Sequence, residues 1–85
     1  MSNKAIKLEL IRTKGRYCML CRRKLKQEDC TLHHIIPISK GGETTVENGA
    51  ILCEPCQKII HTFEYEEEAY KKLTKKIIKN LTNTK

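Results

Sequence analysis

Two Cys-x-x-Cys pairs constrain this chain more than any other feature of its sequence. Cys18 and Cys21 form the first pair, Cys53 and Cys56 form the second, and 31 residues lie between them. Four thiolates complete the tetrahedral shell of a Zn²⁺ ion. A chain of 85 residues builds only a thin core and commonly needs a metal or a disulfide to stabilise it. The spacing therefore predicts one domain, residues 1–85, held together by a structural zinc site of four cysteines.

The cysteine count and the N-terminal segment favour a reducing compartment. Five cysteines are an odd number, which argues against a framework of disulfides alone. The sequence has no apolar run of signal-peptide length and no segment long enough to span a membrane. We therefore expect a cytoplasmic protein with no membrane partner, in which paired thiols bind metal. A thioredoxin-like redox pair is the competing interpretation, but two pairs without a βαβ pattern argue against it. Cys30 is left over and is expected to be a small buried residue.

The charge of the chain favours a polyanionic partner. Seventeen Lys and Arg against 10 Asp and Glu give a formal net charge of +7 and a pI of about 9.3. So much positive charge on one small domain is typical of nucleic-acid binding. A lysine-rich surface without such a role has the same composition, so the charge alone leaves both interpretations open.

Hydrophobic periodicity and turn residues predict an α+β arrangement. The expected elements are a helix over residues 2–14, a strand over 30–38, a Gly-Gly turn at 39–43, a strand over 46–52, and helices over 54–62 and 64–81. The last helix is amphipathic and basic, because an apolar stripe runs along one face and five lysines fill the other. These lysines are Lys71, Lys72, Lys75, Lys76 and Lys79. They either face solvent alone or contact phosphates.

Three histidines and an asparagine form a candidate catalytic group. His33 and His34 are neighbours on a predicted strand, so their side chains should face opposite sides and have different roles. His61 lies on the predicted helix after Cys56, one turn beyond Gln57. If this helix packs on the hairpin, one histidine of the pair can meet His61 around a divalent metal, and the other can act as a general base. Asn48 can tie the loop backbone and aim His34. Taken singly, each histidine is more typical of a surface position and Asn48 of a turn.

Together, these motifs resemble the HNH (ββα-metal, His-Me finger) endonuclease family in its form with two zinc-binding CxxC pairs. The matching segments occur in order within residues 9–62: Arg16–Cys21, His33–Pro37, Gly41–Gly42, Asn48 and Leu52–Cys56. The resemblance implies a small α+β fold whose ββα-metal motif, at residues 16–62, is flanked by N- and C-terminal helices and stapled by a zinc site of four cysteines.

The resemblance also implies an activity and a role for each matching residue. The family hydrolyses phosphodiester bonds in DNA with one divalent metal, here Mg²⁺, Mn²⁺, Ni²⁺ or Zn²⁺, besides the structural Zn²⁺. His34 would be the general base that activates water. His33 would be a metal ligand, at a position often held by Asp, and Asn48 would be the motif's middle asparagine. DNA is then the expected partner of a monomer or weak dimer, acting alone or within a larger phage or restriction assembly.

Two positions depart from the family pattern. Directly after the last cysteine, where the family usually has His or Asn as a metal ligand, this chain has Gln57. In the colicin nuclease branch two histidines stand four residues apart here, so Gln57 takes the place of the first and His61 matches the second. Gly49 stands where Leu is usual. Three functions stay open: a metal-dependent DNA endonuclease or nickase, a zinc-stapled nucleic-acid-binding module with a lapsed catalytic site, and a zinc-dependent protein-interaction domain.

Overall fold

The computed structural model describes residues 2–82 and has a small α+β fold, as predicted. Its elements are, in chain order, α1 (Asn3–Lys14), β1 (Thr31–His34), β2 (Gly49–Leu52), α2 (Glu54–Thr62) and α3 (Glu67–Thr82). The two strands pair antiparallel, with His33 opposite Ala50 and His34 opposite Gly49. α2 follows β2 directly, so β1, β2 and α2 form a ββα unit, with α1 before it and α3 after it. No helix within residues 2–82 is long and apolar enough to cross a membrane.

Both strands are shorter than predicted. The strand expected over residues 30–38 spans only Thr31–His34, and the one expected over 46–52 spans only Gly49–Leu52. The backbone N–H groups of Asn48 and Gly49 turn back onto Thr45 and Val46, at 3.2 and 3.1 Å, so residues 46–48 form a turn. A turn leaves no extended backbone to lengthen the ladder.

The last helix begins later than predicted, at Glu67 rather than residue 64. Two tight turns separate it from α2, because Glu64 N donates to His61 O at 3.2 Å and Glu66 N donates to Phe63 O at 3.0 Å. This break in the helical ladder allows α3 to change direction and place Tyr70 beside β1.

The core is built around β2, whose four residues are all buried. α1 packs against this strand through Ile6 and Leu10, α2 contributes Ile60, and α3 contributes Ile77. Fully burying an aliphatic side chain of this size stabilises a fold by about 1.5–3 kcal/mol. Every element flanking the ββα unit therefore contributes to a single small core.

The first CxxC segment is fastened to both β2 and α3. Met19 N donates to Ile51 O at 2.8 Å, which extends the hydrogen bonding of the sheet edge. Asn80, near the end of α3, donates from Nδ2 to Met19 O at 2.7 Å. Cys30 is only 2 % exposed and donates its S–H to Lys26 O at 3.4 Å, so the prediction of a buried residue is confirmed. The two hydrogen bonds of Met19 hold the first CxxC segment against β2 and α3. The last residue of β2 directly precedes Cys53 of the second pair.

The Gly-Gly turn between the strands needs glycine for two different reasons. Gly41 has φ 89°, in the left-handed region that favours glycine. Gly42 lies directly against the backbone carbonyl of Ile36, where any Cβ would clash, and its N–H donates to Pro37 O at 2.9 Å. The turn therefore holds residues 36 and 37 in place, shortly after the histidine pair.

Candidate active site and metal centre

The four cysteines of the CxxC pairs come together at one point. The Sγ atoms of Cys18, Cys21, Cys53 and Cys56 all lie within 4.8 Å of one another, and none of these cysteines is in a disulfide. Cys21 is exposed while the other three are buried. Such a group can hold one metal ion in a tetrahedral site.

The backbone around Cys18 favours its thiolate form. Burial alone would raise the pKa of Cys18, but backbone N–H groups facing the sulfur lower it to about 7. Two of these donors are Leu20 N and Cys21 N, each 3.4 Å from Sγ. The thiolate is the form that binds metal, so these N–H donors prepare Cys18 for it. Arg22 closes the turn with φ 68°, and its N–H donates to Cys18 O at 2.8 Å.

A second concave site lies between β1, α2 and the start of α3. It is a pocket of about 270 Å³. The polar side chains that line it include His33, His34, Gln57, His61, Glu64 and Tyr70. The alternation of side chains along β1 predicts that His33 and His34 face opposite sides of the strand and have different roles. Both border the same pocket, and they differ in exposure, since His33 is buried and His34, the last residue of β1, is half-buried.

His33 is held as a neutral imidazole. Its side chain is buried, with 6 % of the residue exposed. This burial, together with the nearby His61 and His34, lowers the pKa of His33 to about 4. Tyr70 lies next to it, with Oη 3.5 Å from Nε2 of His33 and donating to Ile35 O at 3.1 Å. A neutral ring keeps a nitrogen lone pair that can coordinate a metal.

Gln57 has one end anchored and the other end unpaired. Its Nε2 donates to Leu32 O at 3.0 Å and to Thr31 Oγ1 at 3.2 Å, so the amide is fixed against β1. Its Oε1 is buried and meets the geometry of a hydrogen bond with no residue that the structure describes, although the Gln57 side chain lies near enough to His33 to raise the pKa of that ring against the effect of burial. An orphaned buried acceptor costs about 1–3 kcal/mol. The unpaired oxygen, the neutral His33 and His61 therefore line one pocket with donor atoms of the kinds that bind divalent cations.

Asn48 fastens the loop that follows β1. Its Oδ1 accepts the N–H of Ile36 at 2.8 Å, and its Nδ2 donates to Ile36 O at 3.1 Å and to Glu43 O at 2.8 Å. Asn48 O also accepts the N–H of Ile35 at 2.8 Å. The asparagine thus does not line the pocket but fixes the backbone two residues beyond His34. The ring of His34 lies against the loop as well, with Nε2 3.4 Å from Thr44 Oγ1.

Replacing Asn48 by Asp should loosen this loop. The carboxylate keeps the acceptor for Ile36 N but turns an oxygen toward the carbonyls of Ile36 and Glu43, which lose their donor. We expect Asn48→Asp to lower the free energy of unfolding by about 1 kcal/mol, measured by urea denaturation, because these hydrogen bonds are exposed and water can replace the lost donor. The exposed Gln27→Glu makes the same chemical change without such partners and should stay within about 0.5 kcal/mol of wild type. Equal stability of the two variants would contradict the role of the Asn48 side chain in holding this loop.

The sequence does not predict that Glu64 and Tyr70 line this pocket or that Thr44 contacts His34. Glu64 follows α2 and its Oε1 lies 3.3 Å from Nδ1 of His61. Tyr70 has the spacing of the apolar face of the last helix, which gives no indication of a place beside the histidines. A carboxylate three residues after a candidate ligand is a weak local signal for Glu64. No sequence signal ties Tyr70 or Thr44 to the histidines, because both contacts depend on how distant segments fold back on β1.

The comparison with known protein families agrees with this geometry. The model of the HNH endonuclease family matches residues 18–63, more than half of the chain. That segment contains both CxxC pairs, the whole ββα unit and the pocket-lining histidines. The chain therefore belongs to the HNH endonuclease family. A search of curated proteins found no match.

Proposed function

We propose that this protein is a metal-dependent DNA endonuclease or nickase that hydrolyses phosphodiester bonds. The observation that carries the proposal is the pocket between β1, α2 and α3, where His34 stands beside a neutral His33 and the unpaired carbonyl oxygen of Gln57. Membership of the HNH family points to a nuclease-type activity on nucleic acid. The net charge of +7 supports a polyanionic substrate.

The metal-holding residues would be His33 and His61 through ring nitrogens and Gln57 through Oε1. Imidazole nitrogens suit Mn²⁺, Ni²⁺ or Zn²⁺, whereas Mg²⁺ prefers an all-oxygen shell, so we expect transition ions to support activity at least as well as Mg²⁺. When bound, the cation supplies positive charge that stabilises the negative charge developing on the scissile phosphate.

His34 is proposed as the general base. Its imidazole takes the proton of a water molecule whose oxygen forms the new bond to phosphorus, while the bond from phosphorus to one ester oxygen breaks. That departing oxygen takes a proton from solvent. Asn48 acts as a positioning residue, because its side chain holds the backbone of Ile36, two residues from His34.

We also propose that the four-cysteine site holds a structural Zn²⁺. Four thiolates close the coordination shell and leave no open position for substrate. The site joins the segment before β1 to the start of α2, since Cys53 caps that helix. Reduced thiols that bind metal are typical of cytoplasmic proteins. A cytoplasmic location of this protein stays a prediction.

The test of the proposed function is cleavage of supercoiled plasmid by zinc-loaded protein. We expect nicked plasmid with added Mn²⁺ or Ni²⁺, no product with EDTA, and recovery when the ion is restored. Cleavage that persists in EDTA would overturn the metal-dependent mechanism. Protein that binds DNA but cuts none with Mg²⁺, Mn²⁺, Ni²⁺ or Zn²⁺ would support the second function, a zinc-stapled nucleic-acid-binding module.

Gln57 is the observation that favours this second function, and its replacement separates the two. His is a stronger ligand than a glutamine carbonyl, so Gln57→His should tighten catalytic-metal binding or raise the cleavage rate. Gln57→Ala should weaken both, because Oε1 is removed. If the wild type cuts no DNA and Gln57→His restores cutting, the site has lapsed by this one substitution. If neither protein cuts DNA, the nuclease proposal is wrong for this chain.

A further inference from the structure

The pocket of the candidate metal site is lined by one acidic side chain among the described residues, Glu64. His33, His61 and Gln57 are all neutral donors when they bind a cation, so they bring no charge to balance a divalent ion. Glu64 is therefore the one residue of this pocket lining, in the described part of the chain, whose side chain can bring a negative charge to a bound cation.

Glu64 is positioned by the backbone turn that ends α2. Its N–H donates to His61 O at 3.2 Å, which keeps Glu64 close to the last turn of the helix. Oε1 then lies 3.3 Å from Nδ1 of His61. The side chain of Glu64 is only 17 % exposed, compared with 63 % for His61. The carboxylate is therefore the less exposed partner of the pair, directed toward the pocket rather than toward solvent.

The charge of Glu64 reaches the other residues of the pocket. It raises the pKa of the buried His33, against the larger lowering by burial. Together with burial, it also raises the pKa of Tyr70. Within residues 2–82, Glu64 forms an ion pair with His61 and with no lysine or arginine. Its neighbour Glu67, by contrast, pairs with Lys71 at 3.4 Å. Glu64 is thus an acidic side chain beside three neutral donors, with no lysine or arginine paired to it in the described part of the chain.

We propose that Glu64 is the anionic member of the catalytic metal site, and this inference rests on the metal site of the proposed function. Its carboxylate accepts the Nδ1–H of His61, which leaves Nε2 as the nitrogen that binds the cation. A carboxylate in this position orients the ring and increases its basicity, and its own charge balances part of the charge of the ion. Glu64 is a positioning residue in this scheme, since it acts through His61.

The first experiment tests the pairing without the catalytic metal. Nitrogen-15 NMR of zinc-loaded protein reports which ring nitrogen of His61 carries the proton. We expect the Nδ1–H form in wild type and a shift to the Nε2–H form in Glu64→Ala. The matched control is Glu66→Ala, which removes an exposed carboxylate two residues away and should leave the wild-type form. An Nε2–H tautomer in wild type would overturn the inference.

The second experiment measures Mn²⁺ affinity by electron paramagnetic resonance, with the four-cysteine site already filled by zinc. Removing a partner of a metal-binding histidine typically weakens metal affinity by about 10–100-fold, and we expect this loss for Glu64→Ala and none for Glu66→Ala. Glu64→Gln keeps an acceptor for His61 but loses the charge, so it should fall between wild type and Glu64→Ala. Affinity equal to wild type in Glu64→Gln would overturn the charge-balancing role.

Two further variants separate this inference from the function on which it rests. Adding Glu64→Ala to His61→Ala should cause little further loss of Mn²⁺ affinity, because residues that act through one another are not additive. Binding that is lost in His33→Ala but unchanged in Glu64→Ala would overturn the role of Glu64 alone. Wild-type protein that binds no Mn²⁺ in a His33-dependent manner would overturn the catalytic metal site and this inference with it.

Discussion

His34→Ala is expected to lower the rate of phosphodiester cleavage by about 10²–10⁴-fold, the usual cost of losing a general base. The fold should survive, because His34 is the last residue of β1 and is half-buried, and its ring is held by a weak contact, at 3.4 Å to Thr44 Oγ1. The measurement is single-turnover cleavage of a labelled DNA duplex at saturating metal, together with thermal unfolding and DNA binding of the same variant.

Two controls make this result specific to proton transfer. Added imidazole should restore part of the activity of His34→Ala, since a free base can enter the space left by the side chain. It should not restore His33→Ala, whose defect is expected in metal binding and should respond to a higher metal concentration. A His34→Ala variant that cuts DNA at the wild-type rate would remove His34 from the mechanism, whatever the metal does.

Cys53→Ser is expected to abolish the folded state at ordinary temperature. The apparent binding free energy of structural zinc in small domains is about 10–16 kcal/mol, which is comparable to the whole stability of a domain of this size. Cys53 also joins the metal cluster to the N-terminus of α2, so its loss releases the helix that carries Gln57 and His61. The measurements are zinc content by elemental analysis and thermal unfolding by circular dichroism.

Cys30→Ser is the matched control, because this buried thiol lies outside the four-cysteine cluster. A serine hydroxyl can still donate to Lys26 O, as the thiol does, so the cost should be no more than about 1–3 kcal/mol, with zinc content unchanged. A Cys53→Ser protein as stable as Cys30→Ser would contradict the structural zinc site. So would well-folded wild-type protein that contains no zinc.

The features that could be predicted from the sequence are those with a local pattern. Two CxxC pairs predict two tight knuckles, and the four thiols do gather at one point. The α2 helix was predicted at its observed bounds, Glu54–Thr62, because Glu54 and Pro55 suit a first helical turn. The order of elements and the family also followed from spacing and residue type along the chain.

Other features depend on contacts between distant segments, which no local pattern encodes. β1 stops at His34 because residues 46–48 turn away from the ladder and the N–H of Ile36 donates to the side chain of Asn48, 12 residues along the chain. Tyr70 reaches His33 across 37 residues because α3 starts after the turns at Glu64 and Glu66. Strand alternation alone put the two adjacent histidines on opposite sides, yet both border one pocket.

By itself, the sequence determined the four thiols that gather at one point, the ββα order and the candidate catalytic residues, since these depend on residue type and short spacing. Only the tertiary structure decided the environment of those residues. Burial makes His33 neutral, anchoring of its amide leaves the Gln57 oxygen unpaired, and a turn brings Glu64 to His61. Charge, desolvation and hydrogen bonding around a site depend on every segment packed against it, so they are set only when the whole chain is folded.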